Sequence, residues 1–133
     1  MSQTISPKLT ISTTGLTTSS TVSISAEDTL SVTQPIVGGA QASAPATGGS
    51  AVEIVPTNST SKDKYTYIRH TGKQSDGTTD TTNKLNVLFS SGSGLSLSAQ
   101  EFAFFPVKST VNVSVISASS QTIQVEFFYY TAA

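Results

Sequence analysis

Apolar side chains alternate with serine and threonine along most of this 133-residue chain, and that two-residue period restricts its fold more than any other feature. Successive side chains of a strand point to opposite faces, so such alternation gives each strand one face for a core and one hydroxyl-rich face. Leu9 and Ile11 begin the pattern, Val22 and Ile24 continue it after a turn-like stretch from Gly15 to Ser20, and Leu30, Val32, Gln34 and Ile36 carry it to Gly38-Gly39. Val52 and Ile54 repeat it before Pro56; Leu85, Val87 and Phe89 repeat it before Ser90-Ser91-Gly92. Leu95 with Leu97, then Val111, Val113 and Val115, then Ile123, Val125, Phe127 and Tyr129 complete it. No stretch has the 3.6-residue period of an amphipathic helix. About nine short strands at spacings near ten residues predict an all-β fold, an antiparallel β-sandwich of jelly-roll-like form.

Hydroxyl residues are abundant enough to raise the question of disorder: 23 Ser and 21 Thr make up a third of the chain. A disordered chain combines low hydrophobicity with high net charge. Here the net charge is -1, and Val, Ile, Leu and Phe clusters recur, so a folded domain is expected. A chain of this length buries roughly two thirds of its unfolded surface and needs no disulfide staples. It has no Cys, which removes thiolate metal sites and Cys nucleophiles. One domain spanning 1–133 is expected, with an N-terminal arm of strands over about 1–37. Residues 38–50 (GGAQASAPATGGS) hold four Gly, one Pro and nothing larger than Gln, and read as a flexible loop. All ten Phe and Tyr lie at or beyond Tyr65, so the principal core is expected in the C-terminal half, with the N-terminal strands covering it or a neighbouring subunit.

Charge and hydropathy exclude several partners. A near-neutral chain with a single arginine, Arg69, lacks the basic field that drives phosphate binding, so nucleic acid is not an expected partner. No apolar run approaches the roughly 20 residues that span a bilayer, and Met1 to Leu9 shows no basic segment followed by an apolar one. The reading is a soluble protein made in a cytoplasm, with no membrane partner. The local basic excess from Lys62 to Lys84, with Tyr65 and Tyr67 interleaved, reads as a solvated sheet edge or loop protected by charge.

Candidate chemistry is sparse. His70 is the only histidine, and no G-x-S-x-G elbow surrounds any serine, so His70 reads as a strand-end residue bonded to a neighbour rather than a general base. One His without Cys cannot assemble a zinc site within one chain. Asp76-Gly77-Thr78-Thr79-Asp80 lacks the third acidic position and the terminal Glu of a calcium loop and reads as a polar hairpin turn capped by Asp. Gly38-Gly39 and Gly48-Gly49 are followed by neither Lys nor a helix, so they form no phosphate cradle. No catalytic residue, cofactor or metal is expected, and the protein reads as a non-enzyme. Tyr65 and Tyr67 leave open a sugar-binding or receptor-binding module, although no Trp is present.

The C-terminal half holds the strongest signal. In Val125-Glu126-Phe127-Phe128-Tyr129-Tyr130, and again around Phe102, Phe104 and Phe105, large apolar groups fall on both faces of a strand. A two-layer sandwich buries one face of each strand, so a second apolar face needs a third layer, a long loop or another subunit. Phe102, Phe104, Phe105, Phe128 and Tyr130 are therefore the candidate oligomer-interface residues.

Three segments, YTYIRHTG (65–72), SAQEFAFFPV (98–107) and QVEFFYYT (124–131), resemble small structural proteins of tailed-bacteriophage virions, including capsid decoration (cement) proteins and neck or tail components. The resemblance covers about half the chain. It implies a β-rich, non-enzymatic subunit located in the virion, a homo-oligomer with a trimer favoured. Its partner would be the major capsid protein or another virion protein, and its task stabilisation of the head shell. A neck or tail component, or a receptor- or carbohydrate-binding module, is the alternative.

Overall fold

The computed structural model describes residues 2–12, 23–36, 41–90 and 92–133. The turn-like Gly15 to Ser20, Val22, Gly38-Gly39 and Ser91 lie outside the described residues. Twelve strands and no helix are present among them: β1 (Ser2–Ile5), β2 (Lys8–Ser12), β3 (Ser23–Glu27), β4 (Leu30–Ile36), β5 (Gln41–Ala44), β6 (Val52–Val55), β7 (Lys64–His70), β8 (Leu85–Phe89), β9 (Gly92–Leu97), β10 (Phe102–Val107), β11 (Val113–Ser117) and β12 (Ile123–Ala132).

Every pairing is antiparallel, and two sheets pack together as a β-sandwich. The first has the order β1-β4-β12-β7-β10, with β5 also on β12; the second has the order β6-β11-β8-β9. The ten residues of β12 organise the first sheet. Along one side β12 pairs with β7 from Val125 to Thr131, and along the other its first half takes β5 and its second half β4. One core lies between the sheets. Ala44, Ile68, Val107, Ile123, Val125 and Phe127 supply it from the first sheet, and Ile54, Val55, Leu85, Val87, Val113 and Val115 from the second.

Two expectations change. The segment read as a flexible loop, 38–50, contains β5, and Ala44 on that strand is fully buried. Small residues suffice there because the strand gains its stability from the ladder with β12, while its short side chains fit beneath a neighbouring layer. The charged stretch 62–84, read as a solvated sheet edge or loop, is a loop beyond His70 but not an edge before it. Its strand β7 lies between β12 and β10, and Lys64 is buried.

The expected N-terminal arm divides in two. Strands β1 and β4 extend the first sheet beyond β12, while β2 and β3 pair only with each other as a separate two-stranded ribbon. Leu9 pairs with Ala26 and Ile11 with Ile24, so one face of the ribbon is apolar. Its other face is polar and carries the exposed ion pair of Lys8 with Glu27 at 3.5 Å.

Candidate functional site

Strict alternation on three adjacent strands builds the surface of interest. On β7, Lys64, Thr66, Ile68 and His70 point into the sandwich, which turns Tyr65, Tyr67 and Arg69 to the opposite side. On β12, Ile123, Val125 and Phe127 point inward, and Glu126, Phe128 and Tyr130 outward. Register then sets three rows across the outer face: Phe102–Arg69–Glu126, Phe104–Tyr67–Phe128 and Pro106–Tyr65–Tyr130.

The rings in these rows touch. Tyr67 stacks on Phe128 with centroids 4.7 Å apart, and Phe128 meets Tyr130 edge-on at 5.6 Å. Tyr65 lies parallel to Phe104 at 6.5 Å, and Tyr67 is 6.4 Å from Phe102. Such contacts are favourable for aromatic quadrupoles and hold the rings as one platform. Yet Phe102 remains 57% exposed, and Phe104 and Phe128 each 38%. Polar groups border the platform: Arg69 donates to Gln100 Oε1 at 2.8 Å, and the Tyr67 hydroxyl donates to Glu126 Oε1 at 3.3 Å. Burial, followed by the charge and hydrogen bond of Glu126, pushes the Tyr67 phenol above its usual pKa.

Two clefts open on this face. One of about 450 Å³ separates the base of the β2–β3 ribbon, including Leu9 and Ala26, from Phe102 and Phe104. The other, about 220 Å³, lies where Ile5, Ser6 and Pro7 pass Phe104, Phe128 and Tyr130.

Of the five residues expected at an interface, Phe102, Phe104, Phe128 and Tyr130 therefore come together on one outer face. Phe105 does not join them. It sits opposite Thr66 on the inner side of the sheet, packs against the core and meets Phe89 edge-on at 5.4 Å. The sequence FAFF places aromatic residues at adjacent positions, and alternation forces one of them inward. Tyr65 and Tyr67 complete the platform; their place beside Ile68 in an alternating strand was the signal for it.

His70 is fully buried and both ring nitrogens are engaged. Nδ1 accepts the Gly72 N–H at 2.9 Å, so Nε2 carries the proton and donates to the Asn83 carbonyl at 2.8 Å. Neither a serine hydroxyl nor a carboxylate is its partner. The Asp76 loop is a capped turn: Asp76 Oδ1 accepts the N–H groups of Thr78 and Thr79, each at 2.8 Å, and Gly77 has φ +72°. The Thr79 hydroxyl, which donates to Oδ2, and those two amides hold the Asp76 carboxyl down to about 2.

Lys64 is the feature that sequence reasoning missed. Its side chain runs into the sandwich with 1% of the residue exposed. Nζ donates to the carbonyls of Pro56 at 2.5 Å, Val111 at 2.8 Å and Ser109 at 3.5 Å. Burial lowers its pKa, against the opposing pull of Glu53 and then Asp63. Two short bonds and one long one engage the ammonium, so the group is a structural tie between the sheets.

No protein-family model matches the chain, and no curated protein matches it significantly.

Proposed function

We propose that the protein is a non-enzymatic structural subunit of a bacteriophage virion, a capsid decoration protein, that works by adhesion through the outer face of its first sheet. One observation carries this reading. Segments 65–72, 98–107 and 124–131, which bear the resemblance to virion proteins, supply the adjacent strands β7, β10 and β12, and the outward residues of those strands form a continuous exposed aromatic platform.

Burial of that platform is the mechanism. Three phenylalanines at these exposures offer about 270 Å² of ring surface, at roughly 200 Å² per aromatic side chain. At about 25 cal/mol per Å², covering it contributes roughly 7 kcal/mol before the entropy of association is charged against it. Copies held on a shared lattice raise one another's effective concentration, so modest contacts suffice. Abundant hydroxyls and few charges suit close packing between copies, because buried hydroxyls cost less than buried charges.

The test is the solution mass of the purified protein by light scattering over a concentration series, for the wild type and for Phe102→Ser/Phe104→Ser/Phe128→Ser. The expected result is a wild type heavier than the 13.8 kDa chain and a triple variant at chain mass, with a urea midpoint equal to that of the wild type at a dilution where it too has chain mass. A wild type that stays at chain mass near 1 mM overturns the reading.

A further inference from the structure

The aromatic platform is not the only apolar surface without a full cover. Leu9, Ile11 and Ile24, on the apolar face of the β2–β3 ribbon, are 46%, 43% and 51% exposed. An isolated two-stranded ribbon is marginally stable in water, so this face needs a partner. Among the described residues the ribbon approaches the platform at its base, where Leu9 and Ala26 flank the larger cleft; Ile11 and Ile24 do not line it.

Resting on the reading that this face is used in assembly, we infer that the occupant of the platform is the β2–β3 ribbon of a second copy, in a reciprocal two-fold pair. Each chain supplies both halves of the contact, an aliphatic ribbon face and an aromatic sheet face, in equal number. The ribbon leaves the first sheet through Ser6–Pro7 and returns through Asp28–Thr29, two short connections on which a small change of backbone angle re-aims the whole element.

Area selects the symmetry. Full burial of a Leu or Ile side chain removes roughly 120 Å², so the three aliphatic residues offer about 170 Å² at their exposures. With the rings, one contact buries about 440 Å² of apolar surface. Apolar atoms make up roughly 60% of an interface, so one contact amounts to about 700 Å² in all. That falls below the roughly 1,000 Å² of a specific interface, whereas two reciprocal contacts give about 1,400 Å², within the standard class. A ring of three, the form expected from sequence, would leave each neighbouring pair with a single contact.

Three measurements test this. Light scattering of the wild type is expected to give twice the chain mass, and Ile11→Ser/Ile24→Ser is expected to return it to chain mass. Mixing the single variants Ile24→Cys and Phe104→Cys under mild oxidation is expected to give a disulfide-linked pair containing one of each, since the chain has no Cys of its own. An assembly that depends on Phe102, Phe104 and Phe128, but survives Ile11→Ser/Ile24→Ser and yields no mixed pair, overturns the ribbon as occupant and leaves the adhesive face standing. A trimer overturns the two-fold pairing, and a monomer at all concentrations overturns both.

Discussion

Replacing Lys64 by Met tests the most unusual interior feature of the fold. Methionine nearly matches the lysine stem in length but offers no donor, so the part-buried carbonyl bonds of Pro56 and Val111 lose their partner at 2.5 and 2.8 Å. Losing such a bond costs about 1–3 kcal/mol, towards the lower end where water reaches the acceptor. The contact to Ser109 at 3.5 Å is too long to add much. Two orphaned carbonyls therefore set a loss of about 2–6 kcal/mol. Relief of the desolvation borne by the ammonium offsets part of it, leaving roughly 2–4 kcal/mol. For a domain of this size that lowers Tm by about 10 °C. The assay is urea unfolding followed by tyrosine fluorescence, with Lys62→Met as control; that lysine donates to the Ala133 carbonyl at an exposed site and should change stability by less than about 0.5 kcal/mol. A Lys64→Met loss below about 1 kcal/mol would refute the claim that this ammonium ties the two sheets.

Further outcomes follow from the same contacts. Phe105→Ala should cost about 3–4 kcal/mol in urea unfolding, as a ring removed from packed surroundings, whereas Phe102→Ala on the open face should cost less than 1 kcal/mol. Gly72→Ala should lower Tm by several degrees, because φ is +78° and a Cβ would meet Gln100 Nε2 at 2.5 Å. The Asp76 carboxyl is held near 2 when folded and returns to its ordinary 3.8 when unfolded, so its stabilisation is complete above pH 4 and is lost as pH falls towards 2. Tm measured from pH 5 to pH 2 should therefore fall more steeply for the wild type than for Asp76→Asn. Alkaline behaviour sets two effects against each other. Burial raises the phenol pKa of Tyr129, so its contribution is lost as pH climbs beyond 10; burial lowers that of Lys64, whose contribution grows as pH rises to 10.5. Between pH 9 and 11 the stability gap between wild type and Lys64→Met should widen, and Tyr129→Phe should flatten the alkaline decline.

The sandwich was legible because alternation is a local property: Leu85-Val87-Phe89 and Val113-Val115 declare a strand and its inward face without reference to anything distant. β5 was not. Its sequence QASA has no large apolar residue, and it is a strand because ten-residue β12 offers it a ladder 79 to 85 positions away. Lys64 failed for the same reason in stronger form. Nothing in KYTYIRH marks its lysine as interior, since the acceptors come from Pro56, Ser109 and Val111 and converge only when the sheets close. The platform lay between these cases. Two-faced apolar strands were visible in Phe102 to Phe105 and Phe127 to Tyr130, but which ring pointed outward depended on register with β7. That register sends Phe104 out beside Tyr67 and Phe105 in beside Thr66.

Register also decides how a partner can approach. β10 is the last strand of its sheet, and an open edge ordinarily invites pairing with another chain. The His70 N–H donates to the Glu101 carbonyl at 2.9 Å, and hydrogen-bonded pairs recur every second residue in an antiparallel ladder. Ala103 and Phe105 therefore bond back to β7, while the backbone groups of Phe102, Phe104 and residue 106 face the open side. Position 106 is proline and has no N–H to offer. An added strand would find donors at only two residues before the ladder stopped. The same residues turn their side chains onto the aromatic face, beside the two clefts that the chain's own ribbon base and Ile5–Pro7 segment leave on it. Proline at this edge works against indefinite strand addition along β10, which would run on into fibres, and leaves the aromatic face as the surface on which the proposed assembly would seat.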